Sequence, residues 1–188
     1  MLVERWRALL ADESGFTLPE LLTSMAILLT IMAGFTGLLV STSRAELNMN
    51  QRFQARTEAG LGLSRLRREV HCASLAAVGP SSPGTRATLT LDAACPTAGA
   101  GTTITWCTVA NGTSRYGLWR YIGAACSGTG VKVADYLSTP TPFTYNAQST
   151  ASLATLSVLF DVNLTPVTHP ESRFRIQDDL VLRNSTRT

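Results

Sequence analysis

The chain has 188 residues, of which 45% are apolar and 15% charged, with a formal net charge of +3. That length suits one domain with a real core. The charge is too small to imply a nucleic-acid partner, and the fifteen Arg and one Lys are scattered, which disfavours a clustered anion site.

Residues 1–15 (MLVERWRALLADESG) form a short polar leader. Phe16-Thr17-Leu18-Pro19-Glu20 follows, and residues 21–43 then carry no charge. A helix of that stretch spans about 34 Å, enough to cross a bilayer core of about 30 Å. An ordinary secretory signal puts its apolar region before the cut. Here the small residue Gly15 precedes the apolar run, so cleavage after Gly15 removes the leader and keeps the run. The mature chain would then carry +4, because the leader holds Arg5 and Arg7 against Glu4, Asp12 and Glu13.

Glu20 is the single charge at the start of this segment. An ionisable group at membrane depth is costly and by default a functional candidate. Cleavage after Gly15 creates an amine on Phe16, and in a bundle of such helices that amine can pair with Glu20 of a neighbour. Pairing offsets the desolvation of both groups, so a subunit in the wrong register leaves Glu20 uncompensated. The helix dipole also favours an acid near the helix N-terminus. A simpler reading puts Glu20 at headgroup level, where it merely caps a single-pass anchor. Pro19 falls in the first turn, where its missing N–H costs nothing. Gly34 and Gly37 fit close helix packing, although Gly is common in membrane helices.

The run Gly15-Phe16-Thr17-Leu18-Pro19-Glu20-Leu21-Leu22, followed by an apolar stretch, resembles the N-terminal cleavage and methylation motif of type IV pilins and type II secretion pseudopilins. The resemblance implies a prepilin peptidase that cuts after Gly15 and methylates the Phe16 amine, with Glu20 as the acidic residue of assembly. It also implies other pilin or pseudopilin subunits as partners, an assembly platform protein and, through it, an assembly ATPase. Residues 63–70 and 181–184 show a weaker likeness to minor pilins of the PilW kind and the J-type pseudopilin. The count of Arg on either side of the span favours the reverse orientation, with Arg44, Arg52 and Arg56 after it. The cleavage motif and the cysteines place the C-terminal part outside the cytoplasmic membrane.

Residues 44–75 continue the helical signal, with Met49, Phe53, Leu63, Leu66 and Val70 near one stripe. Gly60 and Gly62 weaken its middle, and the Gly79-Pro80 to Pro83-Gly84 cluster ends it. The Leu66-Arg67-Arg68-Glu69-Val70 run reads as a solvated helix face. Beyond residue 84 the pattern is β, with strands expected over 88–91, 103–109, 118–122, 131–137, 155–164 and 174–183. No run allows a parallel crossover, so the sheet should be antiparallel. The fold class is therefore α+β and type IV pilin-like, a long N-terminal helix packed on an antiparallel β-sheet. The expected segments are leader 1–15, span 16–43, amphipathic helix 44–79 and β-rich extracytoplasmic domain 80–188.

The four cysteines are Cys72, Cys95, Cys107 and Cys126, and an even number in an exported domain favours two disulfides. If the first three of these strands form a meander, Cys95 and Cys126 lie beyond one edge, which favours Cys72–Cys107 and Cys95–Cys126.

His71 and His169 lack ligand partners at metal spacing, and no nucleophile elbow or phosphate loop is present, so neither an enzyme nor a cofactor or metal is expected. Asp178 and Asp179 are adjacent on a strand and point to opposite faces. Asn111-Gly112-Thr113, Asn163-Leu164-Thr165 and Asn184-Ser185-Thr186 match a glycosylation sequon, a short pattern that is often accidental. Trp106, Trp119, Arg115 and Arg120 lie on neighbouring strand candidates. If exposed they would form a binding face; if buried they are core and hairpin packing, the reading the pattern favours. Nucleic acid as a partner has no support beyond this. The expected role is a minor pilin or pseudopilin subunit that is first a single-pass membrane protein, then part of a filament for piliation, secretion or competence. The alternatives are a tip-located binding module for DNA, a surface or a secreted substrate, and a plain single-pass anchored extracellular protein.

Overall fold

The computed structural model describes residues 17–97 and 101–185. The chain forms one long helix, α1 (Leu18–Cys72), followed by eight strands: β1 (Ala73–Gly79), β2 (Arg86–Leu91), β3 (Thr103–Ala110), β4 (Tyr116–Ile122), β5 (Gly130–Leu137), β6 (Phe143–Asn146), β7 (Thr155–Val162) and β8 (Phe174–Val181). It divides into two compact units, residues 1–48 and 49–188.

In the first unit α1 is exposed along its described length, including Leu22, Ile27, Leu29, Phe35 and Leu38. Its most apolar stretch has a mean hydropathy of 1.9 and is long enough to cross a membrane. Hydroxyls within it bond back to the helix, as Thr30 Oγ1 does to the Ile27 carbonyl (2.7 Å) and Thr36 Oγ1 to that of Met32 (2.8 Å). The segment therefore hides its own polar groups, as an apolar surrounding requires.

In the second unit the rest of α1 packs on an antiparallel sheet whose order is β1-β2-β3-β4-β5-β7-β6, with β8 paired to β7. Strands β2 to β5 form a meander, and β7 joins β5 through the single pair Leu137–Val162. A backbone exchange between Gly84 and Phe143 ties the β1–β2 connection to β6. This is the expected α+β arrangement, a long N-terminal helix on an antiparallel sheet.

The buried stripe of α1 is Ala55, Ala59, Gly62, Leu63, Leu66, Glu69 and Val70, spaced three and four apart. Small residues lead it, so helix and sheet come close. A Cβ on Gly62 would sit 3.2 Å from Val133 Cγ1 and 3.5 Å from Leu118 Cδ2. Met49 and Phe53 were expected in this stripe but are exposed at 74% and 70%. Across the sheet, Leu89, Ile104, Trp106, Leu118, Phe160 and Leu180 complete the core. Strand β7 alternates as its sequence demands, with Leu156, Val158, Phe160 and Val162 all buried.

The helix ends earlier than expected. It stops at Cys72, and residues 73–79 form β1 instead of a last helical turn. Their backbone finds a better partner in β2, from Ala73–Leu91 to Gly79–Arg86. The exposed helix terminus is closed by Asn184 Nδ2, which donates to the Cys72 carbonyl (3.0 Å).

That extra strand corrects the disulfide pairing. The bonds are Cys72–Cys95 and Cys107–Cys126, in place of Cys72–Cys107 and Cys95–Cys126. Because β1 runs directly out of the helix and pairs with β2, the helix end lies beside the end of β2, where the turn carrying Cys95 begins. Cys107 is then left for Cys126, on the loop that leaves β4 and returns to β5.

Candidate functional site: the N-terminal segment and the helix–sheet anchor

Gly15 and Phe16 lie outside the described residues. The helix opens at Thr17, whose carbonyl accepts the N–H groups of Glu20 (3.0 Å) and Leu21 (3.1 Å). Pro19 sits in this first turn without interrupting it. Glu20 is the acidic residue of the turn and is exposed. Between Leu18 and Ser43 it is the sole charged side chain, on a helix surface that is otherwise apolar.

A second, buried constellation fixes α1 to the sheet. Glu69 is fully buried, and its Oε1 accepts from Arg120 Nε on β4 (2.7 Å). Its Oε2 accepts from Trp106 Nε1 on β3 (2.8 Å). Arg65, one helical turn earlier, approaches the same carboxylate at 3.8 Å. Glu69 is therefore not part of a solvated face. It lies three residues after Leu66 within the apolar stripe, a phase that could have identified it. The neighbouring Arg67 also reaches the sheet, donating to Asp178 of β8 at 2.6 Å.

The four residues weighed as a binding face do not share one. Trp106 and Arg120 point to the helix and are buried. Trp119 lies on the other side of β4, half-buried and stacked with Tyr121 at 6.3 Å. Arg115 sits over the Tyr136 ring at 4.7 Å. Alternation along β4 sends Trp119 and Arg120 to opposite faces, which separates the set.

Two further buried carboxylates, Asp135 and Asp161, tie neighbouring strands and turns together. Asp135 accepts from Lys132 Nζ (2.9 Å), Asn111 Nδ2 (3.1 and 3.0 Å) and the Tyr136 N–H (2.8 Å). Burial alone would raise its pKa, but these donors outweigh it and hold the carboxyl below its ordinary value. The cluster shapes a β-bulge at which Tyr136 adopts a positive φ of 64°. Asp161 accepts from Arg175, with Nε at 2.8 Å and Nη2 at 3.2 Å, and Arg173 lies 3.9 Å away. The bond from Arg175 keeps this carboxyl below its ordinary value despite burial. His71 contacts the Val181 carbonyl and His169 contacts Glu171. Among the described residues, no three His, Cys, Asp or Glu side chains gather as a metal site.

No curated protein and no solved structure matches the chain. Residues 10–36 match the family described as the prokaryotic N-terminal methylation motif. That match covers the polar end of the leader, Gly15, Phe16, Glu20 and the start of the apolar helix. The chain thus carries the prepilin-type N-terminal methylation motif, consistent with the type IV pilin and pseudopilin superfamily.

Proposed function

We propose that this protein is a minor pilin or pseudopilin subunit, cut by a prepilin peptidase after Gly15, N-methylated on Phe16 and incorporated into a type IV pilus-like filament. The observation that carries this reading is the prepilin-type motif running into a helix whose apolar residues between Leu18 and Val40 are all exposed. Such a helix needs a bilayer before assembly and other helices after it. Glu20 then pairs with the Phe16 amine of a neighbouring subunit. The β domain lies outside the cytoplasmic membrane, a placement supported by its two disulfides. An assembly platform protein, and an ATPase acting through it, drive extraction of the helix. The same motif makes a structural subunit the better reading than an enzyme.

The test has two parts. Mass spectrometry of the mature protein should find an N-methylated Phe16 terminus; an intact Met1 terminus would leave a plain anchored protein. In cells, Glu20→Ala should be processed normally yet be lost from the sheared filament fraction. Retention of this variant in filaments would remove Glu20 from assembly.

A further inference from the structure

The turn between β3 and β4 carries a chemical feature independent of assembly. Asn111 is the single asparagine of the chain that is followed by glycine. Its backbone is held at both ends of the turn: its N–H donates to the Arg115 carbonyl (2.8 Å), and Arg115 Nε donates back to its own carbonyl (3.0 Å). Its side-chain amide is fastened to both oxygens of Asp135. Gly112 is exposed, has φ of 112°, and has open space where a Cβ would stand. Its N–H has no hydrogen-bond partner among the described residues. A nucleophile that is free and unshielded therefore adjoins an amide that is clamped.

We propose that Asn111 is a deamidation site whose rate is set by the Asp135 clamp. The Gly112 nitrogen loses its proton and attacks Asn111 Cγ, forming an N–Cγ bond. The Cγ–Nδ2 bond breaks, and the amide nitrogen takes up a proton and leaves as ammonia. Water then opens the five-membered imide at either carbonyl, giving aspartyl or isoaspartyl at position 111. No electrons are exchanged, and water is the single co-reactant. The clamp opposes the reaction, because Nδ2 must leave both Asp135 oxygens while Cγ swings towards Gly112.

Conversion reverses the sign of the contact. An amide that donates twice becomes a carboxylate that can only accept, facing another carboxylate. Asp135 keeps Lys132 and the Tyr136 N–H, but the β3–β4 turn loses its tie to the β5 bulge. Asn163 serves as an internal contrast. It is buried, its Nδ2 donates to the His169 carbonyl, its Oδ1 accepts from the Thr165 N–H, and leucine follows it.

The experiment ages the full-length, disulfide-intact protein in detergent at neutral pH and maps peptides that separate asparagine, aspartate and isoaspartate. A synthetic peptide of residues 108–117 and the Asp135→Asn variant are aged in parallel. Both deamidation products should accumulate at position 111 and not at Asn163. The rate should be several-fold higher in the peptide, which lacks the clamp, and several-fold higher in Asp135→Asn. Absence of conversion at position 111 in the protein would overturn the site. A folded-protein rate equal to that of the peptide would overturn the clamp, whether or not Asp135→Asn folds.

Discussion

Glu69 of the helix and Arg120 of strand β4 form a buried ion pair, with Nε 2.7 Å from Oε1 and both side chains almost fully out of solvent. Trp106 fills the second carboxylate oxygen. The three groups lie on three different elements, so they meet only when the helix is in one register on the sheet. A buried pair adds little net stability over a well-packed apolar isostere, but losing one partner is costly.

Glu69→Ala should therefore destabilise the domain by about 3–5 kcal/mol, because Arg120 is left buried without its carboxylate. Denaturant unfolding followed by tryptophan fluorescence reads this directly, since Trp106 loses its acceptor. The double change Glu69→Leu with Arg120→Met should recover much of the loss. A Glu69→Ala variant as stable as the parent would mean that the pair does not hold the register.

Gly62 and Gly60 should respond in opposite directions. Gly62→Leu drives a side chain against Val133 and Leu118 and should cost about 1–3 kcal/mol. Gly60 has open space around it, so Gly60→Ala should gain up to about 1 kcal/mol of helix propensity. Thermal melts of the two variants check this. A neutral Gly62→Leu would show that the helix stands further from the sheet.

Non-reducing peptide mapping should recover Cys72 linked to Cys95 and Cys107 linked to Cys126. Each bond closes a short loop, with sequence separations of 23 and 19 residues. Removing either should cost about 2–5 kcal/mol. A Cys72–Cys107 peptide would contradict the β1–β2 register that brings the helix end to Cys95.

Acid should weaken the β7–β8 junction through Asp161. Its folded pKa is held below the ordinary carboxylate value, first by the hydrogen bond from Arg175. The stabilisation is thus fully present above the unfolded carboxylate pKa and is lost as pH falls through the lowered folded value. Arg175→Ala should lower the melting temperature at neutral pH, and the gap from the parent should close in strong acid. A gap that stays constant with pH would assign the effect to lost packing.

The split between legible and illegible features follows from how far apart the partners lie in the chain. Strand β7 could be read because Leu156, Val158, Phe160 and Val162 alternate within eight residues. Strand β1 could not, because its small, uncharged residues Ala73, Ala76 and Ala77 continue a helical pattern equally well, and only pairing with β2 decides between the two. Strand β6 has four residues, too few for any period to show. Trp106 and Trp119 carry the same residue type on adjacent strands, and their burial depends on which face the helix covers.

By itself the sequence determined the N-terminal segment. Gly15, Phe16, Glu20 and the uncharged run from 21 to 43 form a linear signal, contiguous in the chain and matched over residues 10–36 for most of its length. A helix in lipid satisfies its own backbone, so no distant residue is needed to specify it. Tertiary structure alone decided the partner of each cysteine, the pairing of Glu69 with Arg120 and the contact between Asn111 and Asp135. Each of these joins residues some twenty to fifty positions apart, and strand register and the close approach permitted by Gly62 bring them within a few ångströms.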